Sequence, residues 1–286
     1  MKYIISYSIL ILIGSLIFFG CAEPRHDLTG PQEALVHGEG AKAKASDNFH
    51  GNWLRANNWD LTECMQCHGS NFAGGTVGYS CLRCHTNDMG PEACNTCHGD
   101  FSDPTNIAPP QGTNNETLTT EAAVGAHQIH LFGITISENV QCSECHSVPS
   151  QFSSEGHIDE TLRAEVIFGD YENYNDSLGA PTYNFETMTC ENSYCHGNFK
   201  FTTSSGVPIY GNNFAPQWTV VDGSQAKCGT CHGEIDAEGE LVTPMPTGHF
   251  GSFTLTQCWN CHPRVVDEAG NIIDKTLHIN GEKDIF

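Results

Sequence analysis

The chain has 286 residues, of which 38% are hydrophobic, together with 15 Cys and 15 His. That is too little apolar side chain for an ordinary aliphatic core, so a disulfide or metal framework is expected instead. Twelve basic residues stand against 34 acidic ones, a formal charge of −22, which argues against nucleic-acid binding and against polybasic attachment to anionic lipid.

Lys2 precedes an uncharged apolar stretch over residues 3–20, the charged n-region and apolar h-region of a secretory signal. The stretch ends at Phe18-Phe19-Gly20-Cys21, which resembles a bacterial lipobox. Residues 1–20 are then a lipoprotein-type signal peptide, and Cys21 is the lipidated mature N-terminus. An uncleaved anchor is the alternative, because 18 residues are close to the lower limit of about 17–25 for a membrane-spanning helix; ordinary secretion is a third. All three place the folded part outside the cytoplasm. Ala22, where inner-membrane lipoproteins carry Asp, implies by the same resemblance an outer-membrane or cell-surface location. Residues 21–45, with Pro24, Gly30, Pro31, Gly38, Gly40 and an Ala/Lys tract, form a tether.

Six sites then share one pattern, two Cys separated by two residues with His directly after: Cys64, Cys67, His68; Cys81, Cys84, His85; Cys94, Cys97, His98; Cys142, Cys145, His146; Cys228, Cys231, His232; Cys258, Cys261, His262. A seventh, Cys190, Cys195, His196, has two extra residues between its Cys. Two thiols reach the two vinyl groups on one porphyrin edge while the following imidazole meets the iron, which is the attachment signature of c-type haem. Zinc is the competing explanation, but it does not require His after every second Cys. At Cys190 and Cys195 a disulfide is the alternative. Fourteen Cys serve seven covalently bound haems and the fifteenth is Cys21, leaving none for disulfides.

Seven His act as proximal ligands, and His26 falls next to the anchor. The remaining seven, His37, His50, His127, His130, His157, His249 and His278, match the seven distal positions that closed six-coordinate irons need. Met65, Met89, Met188 and Met245 are possible substitutes that would raise the potential. His127 and His130 lie three apart ahead of the fourth motif, so they point roughly the same way on a short helix. One of the pair is expected to reach back to the upstream haems, which have only His37 and His50 before them, while the other serves the downstream haems. The alternative is that both serve the downstream haems.

The motifs group into a three-haem domain over 46–110 and a four-haem domain over 111–286, separated by Pro104, Pro109, Pro110, Gly112 and a polar run. Three motifs within residues 64–98 leave room only for one-turn helices and loops. Gly69, Gly99, Gly197 and Gly233 each follow a proximal His, where a left-handed residue can end the helix. The fold class is therefore mostly irregular, with short α-helices and very little β, a haem-packed multihaem cytochrome c architecture. Alternation at 163–168 and around Leu277-His278-Ile279 suggests two short strands, possible partners for each other. Trp53, Trp59, Trp218 and Trp259 pack on porphyrin faces or in an ordinary core.

Residues 125–130, Cys142 to His146 with Val148-Pro149, Gly156-His157-Ile158-Asp159, the Cys190 site with Gly197, Cys228 to Gly233, Cys258 to Pro263 and the final His278-Ile279-Asn280-Gly281 resemble the CxxxxCH/CxxCH-domain multihaem cytochromes c of metal-reducing bacteria. The resemblance covers about residues 120–286. It implies outer-membrane or extracellular electron transfer through stacked bis-His haems of low potential, with partner redox proteins or a mineral as acceptor. The expected function is an electron carrier, not an enzyme. A nitrogen-oxide or oxyanion reductase with an open iron, and a cytochrome filament subunit, are the alternatives. With 266 residues left after a 20-residue signal, each of seven haems has 38, and the apoprotein is expected not to fold.

Overall fold

The computed structural model describes residues 37–159, 161, 163–170 and 179–286. The signal segment 1–20, Cys21, His26 and the tether up to residue 36 lie outside the described residues.

Gly, Pro and Asn recur too often for long cooperative segments to form. Helices are accordingly short: His50–Ala56, Thr62–His68 and Cys94–Cys97, with single 3₁₀ turns elsewhere and a π-helical turn at Ile129–Gly133. Strands are confined to three antiparallel hairpins. β1 (Thr182–Asn184) pairs with β2 (Thr189–Glu191), β3 (Lys200–Thr202) with β4 (Pro208–Tyr210), and β5 (Glu234–Ile235) with β6 (Leu241–Thr243). The irregular, helix-poor, strand-poor architecture is the one the motif density predicts. Among the described residues no helix is long and apolar enough to cross a membrane.

The two strands expected from alternation are not formed. Residues 163–168 run extended, but their hydrogen bonds go to the fourth motif: Ile167 N–H donates to Cys145 O at 2.9 Å and Gly169 N–H to Glu144 O at 2.8 Å. At the other site Lys275–Leu277 is a 3₁₀ turn and Ile279 has φ +61°. Alternation there reflects one side chain, His278, projecting inward from an irregular segment.

The chain divides into two units, Met1–Trp53 and Leu54–Phe286. In the described part of the first, His50 returns to Ala41 O through both its backbone N–H (2.9 Å) and its Nδ1 (2.8 Å). In the second, segments on both sides of residue 110 are joined: Gln128 Nε2 donates to Asn106 Oδ1 at 3.0 Å and Ala108 O at 3.2 Å. The C-terminal segment ties back to earlier parts of the chain. Lys275 Nζ reaches Ile134 O at 2.6 Å, and Gly281 N–H donates to the Tyr194 hydroxyl at 2.7 Å.

Buried hydrophobic side chains among the described residues number nine, and three of them are alanines: Leu61, Phe72, Ala93, Ala108, Val124, Ala126, Tyr194, Val265 and Val266. Tyr79, Leu82, Met89 and Phe101 are among the large apolar residues left exposed near the first motifs. Of the four Trp, Trp53 is exposed and Trp59, Trp218 and Trp259 are half-buried. Side chains alone do not make this interior.

Candidate functional site

Each attachment motif is built on a tight turn. In a 3₁₀ turn, side chains at i and i+3 eclipse, so both thiols of a Cys-x-x-Cys leave the backbone on one side. Turns at Cys81–Arg83, Cys142–Glu144 and Leu255–Asn260 carry three of them. In each, the second Cys N–H donates to the first Cys carbonyl at 3.1–3.2 Å and the His N–H follows at 2.9–3.0 Å. The first and third motifs sit on the helical turns Thr62–His68 and Cys94–Cys97, the latter closed by His98 N–H on Cys94 O at 3.3 Å. Glycines 69, 99, 197 and 233 all have positive φ, as expected for the residue after the ligand. At Gly197 a Cβ would stand 2.2 Å from Cys231 O, so only glycine lets the fifth and sixth motifs approach.

The longer insert has its own support. Cys190 lies on β2 opposite Tyr183, the chain turns at Asn192 with φ +58°, and Tyr194–His196 resumes the 3₁₀ turn. Asn198, with no exposed surface, donates to Asn192 O at 2.7 Å and Gly179 O at 3.2 Å. Asn198→Ala strips both carbonyls of their partner and is expected to cost about 1–3 kcal/mol. The denaturant midpoint of the holoprotein checks this, and an unchanged midpoint would remove the role.

The histidines are oriented through Nδ1. Among the described residues eleven of the fourteen candidate ligands place Nδ1 within hydrogen-bond distance of a backbone carbonyl. The proximal ones are His68 (Tyr79 O, 2.7 Å), His98 (Ile107 O, 3.3 Å), His146 (Glu165 O, 2.7 Å), His232 (Pro244 O, 3.0 Å) and His262 (Asp284 O, 2.5 Å). The distal ones are His50 (Ala41 O, 2.8 Å), His127 (Val124 O, 2.8 Å), His130 (Ala126 O, 2.9 Å), His157 (Phe152 O, 2.8 Å), His249 (Phe250 O, 2.9 Å) and His278 (Ile136 O, 2.7 Å). A carbonyl at Nδ1 puts the proton there and leaves Nε2 with a lone pair for metal, the support that metal-bound imidazoles have. Burial lowers His98, His232 and His278, and pushes His127 down to about 4 and His196 to about 3.

Three proximal and three distal rings then face each other in pairs. His127 and His146 have ring centroids 6.2 Å apart, His130 and His196 6.1 Å, and His278 and His232 6.3 Å. Two imidazoles on opposite sides of one first-row metal, with bonds of about 2.0 Å and roughly 1.1 Å from nitrogen to centroid, sit about 6.2 Å apart. Their planes differ by 24°, 70° and 71° respectively. A fourth association is electrostatic. His98 is pushed down first by burial, and His157 and His146 are the imidazoles that lower it further.

These pairs follow the alternative to the clamp: His127 faces the fourth motif and His130 the fifth, while His98 of the third motif is itself among the imidazoles that push His127 down. The backward tie is Gln128, the residue between them, while His157 lies near His98. The π-helical turn at Ile129–Gly133 begins directly after Gln128, and the His127 and His130 rings both contact Trp218.

Zinc does not fit this arrangement. Among the described residues no three His, Cys, Asp or Glu converge on one point. Burial pushes the Cys97 and Cys231 thiols up to about 11, away from the thiolate that zinc binds. All fourteen motif Cys are free of disulfides, Cys190 and Cys195 included. Paired thiols on one face, imidazoles with free Nε2 and exposed apolar side chains beside them do fit haem c, each porphyrin supplying the apolar surface that the side chains lack.

Motifs of this kind, repeated along an irregular chain, define a multihaem c-type cytochrome, with covalently bound haem at CxxCH and CxxxxCH sites. Residues 189–232 match the family model described as the Geobacter CxxxxCH...CXXCH motif, which agrees with the resemblance drawn from the sequence over that stretch. No curated protein and no solved structure matches the chain. The matched segment is a physical unit. It starts on β2 and ends at the sixth proximal His, and residues 211–214 thread between its two motifs, with Asn212 N–H on Cys231 O at 2.9 Å and Phe214 N–H on His196 O at 2.9 Å.

Proposed function

We infer that the protein is a heptahaem electron carrier, held at the outer membrane or cell surface by lipid on Cys21, relaying single electrons to an extracellular acceptor or partner cytochrome. The observation that carries this is the set of facing imidazoles at 6.1–6.3 Å. Bound haem supplies one-electron iron chemistry. His146, His196 and His232 with His127, His130 and His278 would hold the iron from two sides, and backbone carbonyls fix how their rings are oriented.

By count, His98 takes His157 and His262 takes His249. Ligands on both faces favour a carrier over a reductase, which needs an open position. Intact mass with seven haem increments, acylation at Cys21 and an entirely low-spin ferric EPR spectrum are the expected results. High-spin haem would replace this reading with the reductase, and fewer haems would refute the count.

The charge of −22 favours a basic partner or positively charged mineral surface through long-range steering. Reduction by a small basic redox protein is expected to slow roughly tenfold between low and physiological salt, as screening shortens the field to about 8 Å. A stopped-flow rate that ignores salt would remove steering from the account.

A further inference from the structure

One aromatic side chain touches both distal ligands of two successive motifs. The Trp218 ring meets His127 edge-on, with centroids 4.7 Å apart and planes at 90°, and lies nearly parallel to His130, at 5.7 Å and 25°. Its Nε1 donates to Ala122 O at 2.8 Å, and its backbone N–H to Met188 O at 2.7 Å, so the indole is fixed at both ends. The floor beneath it is Gly125, φ +41°, where a Cβ would come 1.9 Å from Trp218 Nε1. The buried neighbours Val124 and Ala126 supply the carbonyls that anchor His127 and His130 at Nδ1.

The two imidazoles are therefore held from two directions. Each carbonyl fixes where a ring hinges, and the indole fixes how far it rotates about that hinge. The outcomes differ, because the His127 and His146 planes are 24° apart while those of His130 and His196 are 70° apart.

We propose that Trp218 is a positioning residue that sets the axial imidazole planes of two neighbouring haems at once, keeping one pair near parallel and the next near perpendicular. The proposal rests on the inferred haem ligation. Axial-ligand orientation is a lever on the electronic state of haem iron, as ligand identity is. Near-parallel imidazoles give a rhombic low-spin ferric EPR signal, and near-perpendicular ones a highly anisotropic signal. One side chain thus makes adjacent relay sites electronically distinct.

The test uses the intact holoprotein. His127→Met and His130→Met first assign the two signals by their loss. In Trp218→Leu, both assigned signals are expected to shift toward intermediate anisotropy, and their two midpoint potentials to move, while the other low-spin signals keep their positions. Trp218→Phe keeps an aromatic ring between the imidazoles but loses the Nε1 hydrogen bond, and should restore most of the wild-type signals. Gly125→Ala, which displaces the indole, should reproduce the leucine phenotype. Signals unchanged in Trp218→Leu, or shifted equally across all haems, would overturn the proposal. If the leucine variant loses haem, Gly125→Ala decides alone: a change confined to the two assigned signals supports the proposal, and none or a general change overturns it. A wild-type protein without bis-His low-spin signals would defeat the ligation itself, whereas wild-type signals indifferent to Trp218 would defeat only the positioning role.

Discussion

Expressed where haem c cannot be attached, the chain is expected to remain unfolded, with no cooperative thermal transition and digestion by protease within minutes. The reason is the composition of the interior. Nine hydrophobic residues are buried among the described residues, three of them alanines, and the strands are two-stranded hairpins of two or three residues. Isolated hairpins of this kind are marginal in water, and helices of four to seven residues are far below the roughly 12–15 needed for independent stability. Ordering the backbone costs about 1–2 kcal/mol per residue. What offsets it must be thioether attachment, iron–imidazole bonds and the apolar porphyrin surface, and all three are lost together. Far-UV circular dichroism and limited proteolysis of the unattached chain check this. A protease-resistant apoprotein with a sharp transition would show that the side chains suffice after all.

The dependence on haem also explains which features were legible in the sequence. Cys-x-x-Cys-His is a covalent requirement, so its residue order survives any tertiary arrangement and can be read directly. The left-handed glycines after the proximal His follow from the same local turn. Ligand pairing was not legible in this way. His127 and His130 look alike in sequence, three residues apart, and only tertiary contact sorts them onto different motifs. Alternation at 163–168 was misread because an extended segment looks the same whether it joins a sheet or lines a motif. Here Glu165 O receives His146 Nδ1 at 2.7 Å, so the segment orients a ligand instead of pairing with a strand. Trp218 carried only a generic signal. Its contact with Ala122, 96 residues away, has no local mark beyond Gly125.

His130→Met is expected to raise the midpoint potential of the haem at Cys190 and Cys195 by on the order of 100 mV, a fraction of the roughly 0.8 V that axial ligands span. Thioether sulfur is a weaker donor to ferric iron than imidazole and favours the ferrous state, so the shift is upward. The structural basis is the His130–His196 pair at 6.1 Å, with His130 held by Ala126 O. Methionine can span the same gap without that anchor. Mutating the other end of the pair gives an internal check. His196→Met should remove the same bis-His EPR signal as His130→Met, and the double variant should lose no second signal, because both residues act on one iron. His127→Met should instead remove the signal shared with His146→Met. Spectroelectrochemical titration and EPR of these variants separate the two arrangements the sequence left open. If His130→Met altered the haem at Cys94 and Cys97, His130 would be the backward clamp, and the facing rings at His196 would lose their meaning as an axial pair. If it altered only the Cys190 haem, the relay would pass from the third motif to the fifth through ligands contributed by separate segments: His157 beside His98, then His127 and His130 side by side against one indole.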